Sequence, residues 1–344
     1  MRIAQISTVG TPVRRDGSDS VEHLVWLLTR ELTQLGHDVT VFAAAGSEVS
    51  GRLVETLPGQ YGVGGGPQDW RFCEVNNLAH AIQRSAEFDI LHSHSYLWGL
   101  ALERLSSKPM VHTLHITPFS DVSQVLALSP HVNISAISHY QWSGFPSFKP
   151  AAVIHHGVDP TPFTFRESPD DYLFFLGRFV PEKGALTAIA AARALGMRLI
   201  LAGAPSEPYP HYFRDFIEPE IDGKLIQYVG KVAGEERDRL LGGARALLYP
   251  IEDPEPFGLV QVEAMLCGTP VVAMSLGAVP EIVEEGVTGC LATTADEFIK
   301  AIPRALGLNR RRIRAEAEQR FSPGRMAAEY VALYERLAGG PSAS

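Results

Sequence analysis

The chain has 344 residues, 45% of them apolar and 20% charged, the balance of a globular protein with enough length for two domains of ordinary size. Its formal net charge of -9 argues against a broad basic surface for nucleic acid, although a local cationic pocket for phosphate is compatible with it. Cys73, Cys267 and Cys290 are odd in number and outside any CxxC spacing. They read as reduced structural thiols of a cytoplasmic protein, not as a disulfide framework or zinc site.

In chain order, the first ten residues carry one charge ahead of a short β-like run. They lack the length of a signal h-region or a membrane span, so the expected location is cytoplasmic. Short apolar, β-branched runs predict strands over 3–7, 39–42, 89–92, 110–114, 133–137 and 153–155. A helix is predicted over 21–35. The stretch 159–169, with Pro160, Pro162 and Pro169, has neither periodicity and reads as a linker. Beyond it, strands are predicted over 172–176, 198–202, 225–229, 246–249 and 270–273, with helices over 186–194 and 258–267. Continuous apolar strands alternating with helices indicate parallel sheets buried on both faces. Two doubly wound, Rossmann-like domains are therefore expected, over 1–160 and 161–320, followed by a helix over 321–338 and a frayed tail. Such sheets bind ligands outside the carboxyl ends of their strands. If the two ends face each other across a cleft, a donor and an acceptor can meet there away from water.

The run FFLGRFVPEKG over 174–184 puts Gly177, Arg178 and Lys183 on the loop leaving a strand, just ahead of a helix. Two cations beside a helix N-terminus suit a diphosphate. A solvated loop with two ordinary charges fits the composition equally well, because no GxxxxGK[ST] is present. The second segment, PEPFGLVQVEAMLCGTPVVA over 254–273, places Pro256 in the first turn of a helix. Glu255 then lies before the helix and Glu263 inside it, with the amides of Phe257, Gly258 and Leu259 available to an anion. Carboxylates suit sugar hydroxyls better than phosphate. Glu255 would hold a hexose and Glu263 a ribose diol; the alternative for Glu263 is a charge on a solvent face. Its neighbours Val262, Ala264 and Met265 are apolar, which makes an unpaired carboxylate costly there.

These segments carry a resemblance. Glu255 and Glu263 at E-x7-E spacing, Gly177-Arg178 with Lys183-Gly184, the Pro-Phe-Gly-Leu turn, CGTPVVA over 267–273, GAVPEIVEEGVTG over 277–289 and LGHDVTV over 35–41 occur in order along the chain. Together they resemble the retaining glycosyltransferases of family 4 (group 1), which have the GT-B fold. The resemblance implies that Arg178 and Lys183 grip the donor diphosphate, Glu263 the ribose and Glu255 the donor sugar. Backbone near Lys231 and Val232 would meet the base, and the C-terminal helix would cross back onto the first domain. It also implies retention of anomeric configuration, a nucleotide-hexose donor with UDP-glucose the first choice and a guanine nucleotide the alternative, and no metal or other cofactor. The acceptor is not identified.

Twelve histidines invite a metal reading, above all His92 and His94, which share one face of a strand. No third ligand at suitable spacing accompanies them, so core or cleft roles are favoured and no metal site is assigned. In PMVHTLHIT over 109–117, His115 ends a strand. Relatives carry a histidine there beside the transferred sugar, so His115 could bond the sugar or the leaving phosphate; His94 is the second candidate. His155 and His156 read as hinge structure. In the loop after the first strand, where the family commonly has Gly-Gly before a glutamate, this chain has Asp19, Ser20 and Val21 before Glu22, with Gly17 upstream. Either Gly17 supplies the close backbone approach or Asp19 faces acceptor hydroxyls. The basic run Arg310–Arg314 reads as a solvated helix face. Two rival functions use the same fold: a nucleotide-sugar 2-epimerase, which needs no acceptor, and a non-catalytic nucleotide-sugar-binding protein.

Overall fold

The computed structural model describes residues 1–16, 20–62, 67–129, 131–145, 148–206 and 209–339. They fall into two compact units: Met1–Gly157 with the segment from Pro323 onward, and Val158–Ser322.

The first unit is built on seven strands: β1 (Arg2–Ile6), β2 (Asp38–Ala44), β3 (Arg52–Leu57), β4 (Ile90–Ser93), β5 (Met110–Thr113), β6 (Ile134–Ala136) and β7 (Ala152–Val153). Their order is β3-β2-β1-β4-β5-β6-β7, every pairing parallel. The helices between them are α1 (Ser20–Gln34), α2 (Trp70–Gln83), α3 (Trp98–Leu102) and α4 (Ser120–Leu128). Strand β1 shows why these runs lack polar alternation. Ile3 joins a core containing Val39, Val41, Ile90 and Val111. Ala4 and Ile6 join a different one with Phe42, Leu91 and Met110. Successive residues point to opposite faces, and both faces are covered. On α1, Leu24, Val25, Leu28 and Leu32 are buried at the three- and four-residue spacing of an amphipathic helix.

The second unit has six strands: β8 (Leu173–Leu176), β9 (Leu199–Ala202), β10 (Ile226–Tyr228), β11 (Ala246–Tyr249), β12 (Val271–Met274) and β13 (Gly289–Ala292). They are ordered β10-β9-β8-β11-β12-β13 and again all parallel. Its helices are α5 (Ala185–Leu195), α6 (Gly234–Gly243), α7 (Leu259–Leu266), α8 (Val279–Ile282), α9 (Ala295–Ala305) and α10 (Arg310–Arg320). Helix α9 starts at Thr294, whose hydroxyl accepts from Glu297 N, while the Glu297 carboxylate takes the Thr293 amide, a reciprocal cap. The last helix, α11 (Pro323–Ala338), belongs to the first unit, where Met326, Ala327, Tyr330, Leu333 and Tyr334 share a core with Val25, Leu28 and Leu32 of α1. No helix of the described residues is long and apolar enough to cross a membrane.

In each sheet the strand order reverses at one point, between β1 and β4 and between β8 and β11, and such points open ligand crevices at the carboxyl ends. The structure departs from the sequence reading in four places. Strands β3 and β13 were not expected: β3 is a half-exposed edge strand with polar Arg52, Glu55 and Thr56, and β13 is four residues beginning at Gly289, whose missing side chain lets it lie against the Val271 backbone. Helix α7 starts at Leu259, so Pro256 precedes the helix and is not in its first turn. Arg310 is no solvated charge. Its guanidinium donates to the carbonyls of Arg166, Gly242 and Ala244 at 2.6, 2.8 and 3.0 Å and to Thr269 Oγ1 at 2.9 Å; burial lowers its pKa to about 10.

Candidate active site

In the second unit the chemistry gathers where β8 and β11 end. After β8 come Gly177 and the exposed Arg178; among the described residues no side chain pairs with that guanidinium. A 3-10 turn, Pro181–Lys183, leads to Gly184, which caps α5 with φ +68°. A side chain at Gly184 would run into the Pro250 carbonyl. The chain is thus glycine there for two reasons, left-handed backbone and contact with the loop after β11.

That contact brings Lys183 to Glu255. The ammonium pairs with Glu255 Oε1, and Tyr249 Oη donates to Glu255 Oε2 at 2.5 Å. The side chains of Lys183 and Glu255 remain 22% and 23% exposed, so the pair is reachable. Burial and the adjacent Glu255 charge hold the Tyr249 phenol well above its ordinary pKa, keeping it a donor. Glu255 is also fixed by its backbone. Ala278 N donates to its carbonyl at 2.9 Å, and Gly277, with φ +60°, leaves no room for a Cβ against the Glu255 backbone. Loops after three adjacent strands, β8, β11 and β12, therefore set one carboxylate.

Helix α7 follows directly. Its cap Gly258 has φ +94° and offers no side-chain oxygen to the first turn; a Cβ there would stand 2.7 Å from Tyr249 Oη. Phe257 is buried against Phe321, with ring centroids 6.0 Å apart, while Leu259 is half-buried. Glu263 is mostly buried and meets Arg237 of α6, Nη1 to Oε1 3.2 Å. Burial raises its pKa and Arg237 pulls it back. Glu263 is accordingly neither a solvent-face charge nor an unpaired carboxylate. Arg237 in turn lies over the Phe163 ring at 5.5 Å. At the end of β10, Gly230 (φ +80°) accepts from Gly203 N at 2.8 Å, and next to it Lys231 is exposed and Val232 buried.

In the first unit the histidines form a stack. Alternation along β1, β4 and β5 puts Gln5, His92 and Thr113 on the face covered by α1 and α11, and His94 and His115 continue it beyond the strand ends. His92 Nδ1 lies 2.6 Å from Tyr334 Oη and its Nε2 2.8 Å from Thr113 Oγ1, which is 3.0 Å from Tyr330 Oη. His94 Nδ1 is 3.0 Å from His115 Nε2, and its Nε2 is 3.1 Å from Gln5 Oε1. His115 and His156 stack with centroids 5.3 Å apart. Both nitrogens of His92 and of His94 are thus engaged, leaving no lone pair for a metal. Among the described residues no group of three or more histidine, cysteine, aspartate or glutamate side chains is arranged to hold one. Burial lowers the pKa of all four rings, that of His115 to about 4. His115 lies two residues past the end of β5.

In the loop after β1, Gly17 and Asp19 lie outside the described residues, and Ser20 is the exposed first residue of α1. Beside this loop stand two carboxylates, Glu22 of the loop motif and Glu74, the second of which the sequence reading passed over. Val9 N donates to Glu74 Oε1 at 2.9 Å and Thr11 N to Glu22 Oε1 at 3.2 Å. Both side chains are buried, and burial raises Glu74 to about 7. Also missed were Tyr249, Arg237, Gln5, Tyr330 and Tyr334. Tyr249 finds its partner Glu255 in the loop that directly follows it; the polar tips of the other four are explained only by partners from other elements of the fold.

Paired doubly wound sheets, with cations and carboxylates at the switch point of the second, define the GT-B class of sugar transferases. Residues 21–161 match the family model described as Glycosyltransferase Family 4, and residues 170–307 match that of Glycosyl transferases group 1. The D-inositol 3-phosphate glycosyltransferase of Mycolicibacterium smegmatis (strain ATCC 700084 / mc(2)155) is 27% identical, over 97% of this chain and 91% of its own. The crystal structure of AviGT4, a glycosyltransferase involved in avilamycin A biosynthesis, matches with 27% identity and a TM-score of 0.70 over 98% of both chains. Anabaena HepE in complex with UDP-glucose matches with 20% identity and a TM-score of 0.73, over 98% of this chain and 100% of that one. The chain belongs to the family 4, group 1 glycosyltransferases, and it is an enzyme of that class.

Proposed function

We propose that the enzyme transfers a hexose from a nucleotide diphosphate sugar, UDP-glucose in the first instance, to a hydroxyl acceptor, with retention at the anomeric carbon and without a metal ion. The observation that carries this reading is the Lys183–Glu255–Tyr249 cluster beside the unpaired Arg178, at the carboxyl ends of β8 and β11. Phosphate oxygens need the cations, and sugar hydroxyls need a carboxylate already held in place. Arg178 and Lys183 take the diphosphate, the start of α7 adds its dipole, and Glu255 orients the sugar. Glu263 binds the ribose, and the backbone at Lys231 and Val232 meets the base. His115 contacts the sugar being transferred.

In the reaction, the bond from the anomeric carbon to the phosphate oxygen breaks, and the acceptor oxygen bonds to that carbon on the same face. The acceptor proton passes to the departing phosphate. Arg178, Lys183 and the helix dipole offset the charge that develops there. The relative crystallised with UDP-glucose supports a uridine nucleotide. The relatives named for D-inositol 3-phosphate make a cyclitol phosphate the first acceptor to assay. Three buried, free cysteines are in keeping with a cytoplasmic setting. The test is NMR of the product formed from UDP-glucose and an acceptor panel: an α-linked glucoside is expected, and a β-linked product overturns the retaining route. Donor incubated alone should yield no C2 epimer; an epimer would favour the epimerase reading.

A further inference from the structure

The hydrogen-bond chain that ends on His115 has a direction. Tyr334 Oη and His92 Nδ1 are 2.6 Å apart, a separation that suits an O–H donor better than an N–H donor. The phenol therefore gives its only proton to His92. Its other contact, Gln5 Nε2 at 3.1 Å, must be one in which the amide donates. That fixes the amide and turns Gln5 Oε1 toward His94 Nε2, 3.1 Å away, which must carry a proton. A neutral imidazole has one N–H, so His94 Nδ1 is bare and accepts from His115 Nε2 at 3.0 Å. The same count leaves His115 Nδ1 bare. It is buried, and no described residue donates to it.

We propose that Gln5 and His94 are positioning residues that lock His115 as its Nε2–H tautomer, so that Nδ1 accepts a hydrogen bond from a hydroxyl of the transferred sugar and cannot serve the leaving phosphate. An ionised phosphate oxygen has no proton to give, and a bare nitrogen has none to offer it. A second proton on the ring is held off by burial, which keeps His115 neutral down to about pH 4. The inference rests on the reading that His115 contacts substrate, and it narrows that contact to one chemical partner.

Three measurements test it. In ligand-free protein labelled with ¹⁵N-histidine, two-bond nitrogen–proton correlations should report Nε2–H for both His94 and His115; Nδ1–H at His115 overturns the proposal without any mutation. In Gln5→Leu, the His115 signals should become a mixture of tautomers, and release of UDP from UDP-glucose should slow about tenfold in kcat with little change in KM; an unchanged tautomer and rate would overturn it. A set of UDP-glucose analogues with each glucose hydroxyl replaced by fluorine, which cannot donate, should contain one that wild type uses about tenfold less well and His115→Ala does not distinguish. If no analogue behaves so while His115→Ala is itself slow, the relay is wrong and the substrate contact stands. If His115→Ala releases UDP as fast as wild type, the contact itself is wrong.

Discussion

Lys183 and Glu255 are 72 residues apart in sequence and form an ion pair at the ends of neighbouring strands. The cation assigned to the diphosphate is thus held by the carboxylate assigned to the sugar before either ligand arrives. A bound diphosphate would compete for that ammonium, and Tyr249 would keep Glu255 in place when it leaves. Lys183→Ala should weaken UDP binding by roughly ten- to a hundredfold, the value of one charge-assisted hydrogen bond. Glu255→Gln, which frees the ammonium, should bind UDP at least as well as wild type yet turn over UDP-glucose about a hundredfold more slowly through lost orientation. Calorimetry with UDP separates the two; weaker UDP binding in Glu255→Gln would contradict this assignment.

Gly277 has no contact with ligand in this account, yet its substitution should reach the site. An alanine there adds the strain of φ +60° and a Cβ against the Glu255 backbone. Strain of this kind costs about 1–3 kcal/mol. Gly277→Ala should lower the unfolding midpoint and also reduce kcat by displacing Glu255. Reduced stability with unchanged turnover would separate the Gly277 loop from the placement of Glu255.

Acid should destabilise the protein in a window set by its histidines. His92, His94, His115 and His156 have folded pKa values below the ordinary 6.5. Between 6.5 and about 4 the unfolded chain takes up protons that the folded one refuses, so stability falls as pH drops through that range. His115 alone accounts for about 3 kcal/mol of this. Glu74 acts in the opposite sense. Its folded pKa of about 7 means that from 4.5 to 7 the folded chain holds a proton that the unfolded one releases, and stability falls as pH rises. Urea midpoints at pH 5 and 7 should therefore increase with pH in wild type, more steeply in Glu74→Gln and less steeply in His115→Asn.

Transfer should survive EDTA. The cations Arg178 and Lys183 are assigned the charge that a divalent ion would otherwise offset. An EDTA-treated enzyme whose UDP release returns only with added magnesium or manganese would overturn that division of labour.

The sheets were legible because their strands are buried on both faces and read as unbroken apolar runs. Strand β3 was not, since its half-exposed edge position gives it the composition of a loop. The glycine and charge motifs of the second unit pointed to Lys183 and Glu255 individually. Their pairing required the fold, because Gly184 and Pro250 bring together two loops that carry no sign of each other. Glu263 shows the same limit: its apolar neighbours announced burial, but the partner Arg237 comes from a different helix. The histidine stack was read as two strand residues and a strand-end candidate. The tyrosines that orient it lie more than 200 residues downstream, and no local pattern distinguishes them from ordinary core aromatics.

Helix α11 supplies Met326, Ala327, Tyr330, Leu333 and Tyr334 to a core whose other buried members come from the first 154 residues. A ribosome making this chain releases the whole of the second unit before the first can close. Until then Gln5 and His92 wait without their phenolic partners, and the groove that α11 fills stands open to water. The usual order, in which the leading domain folds while the next is being made, is reversed for this half of the molecule: its final locking step belongs to residues synthesised only after the whole second unit.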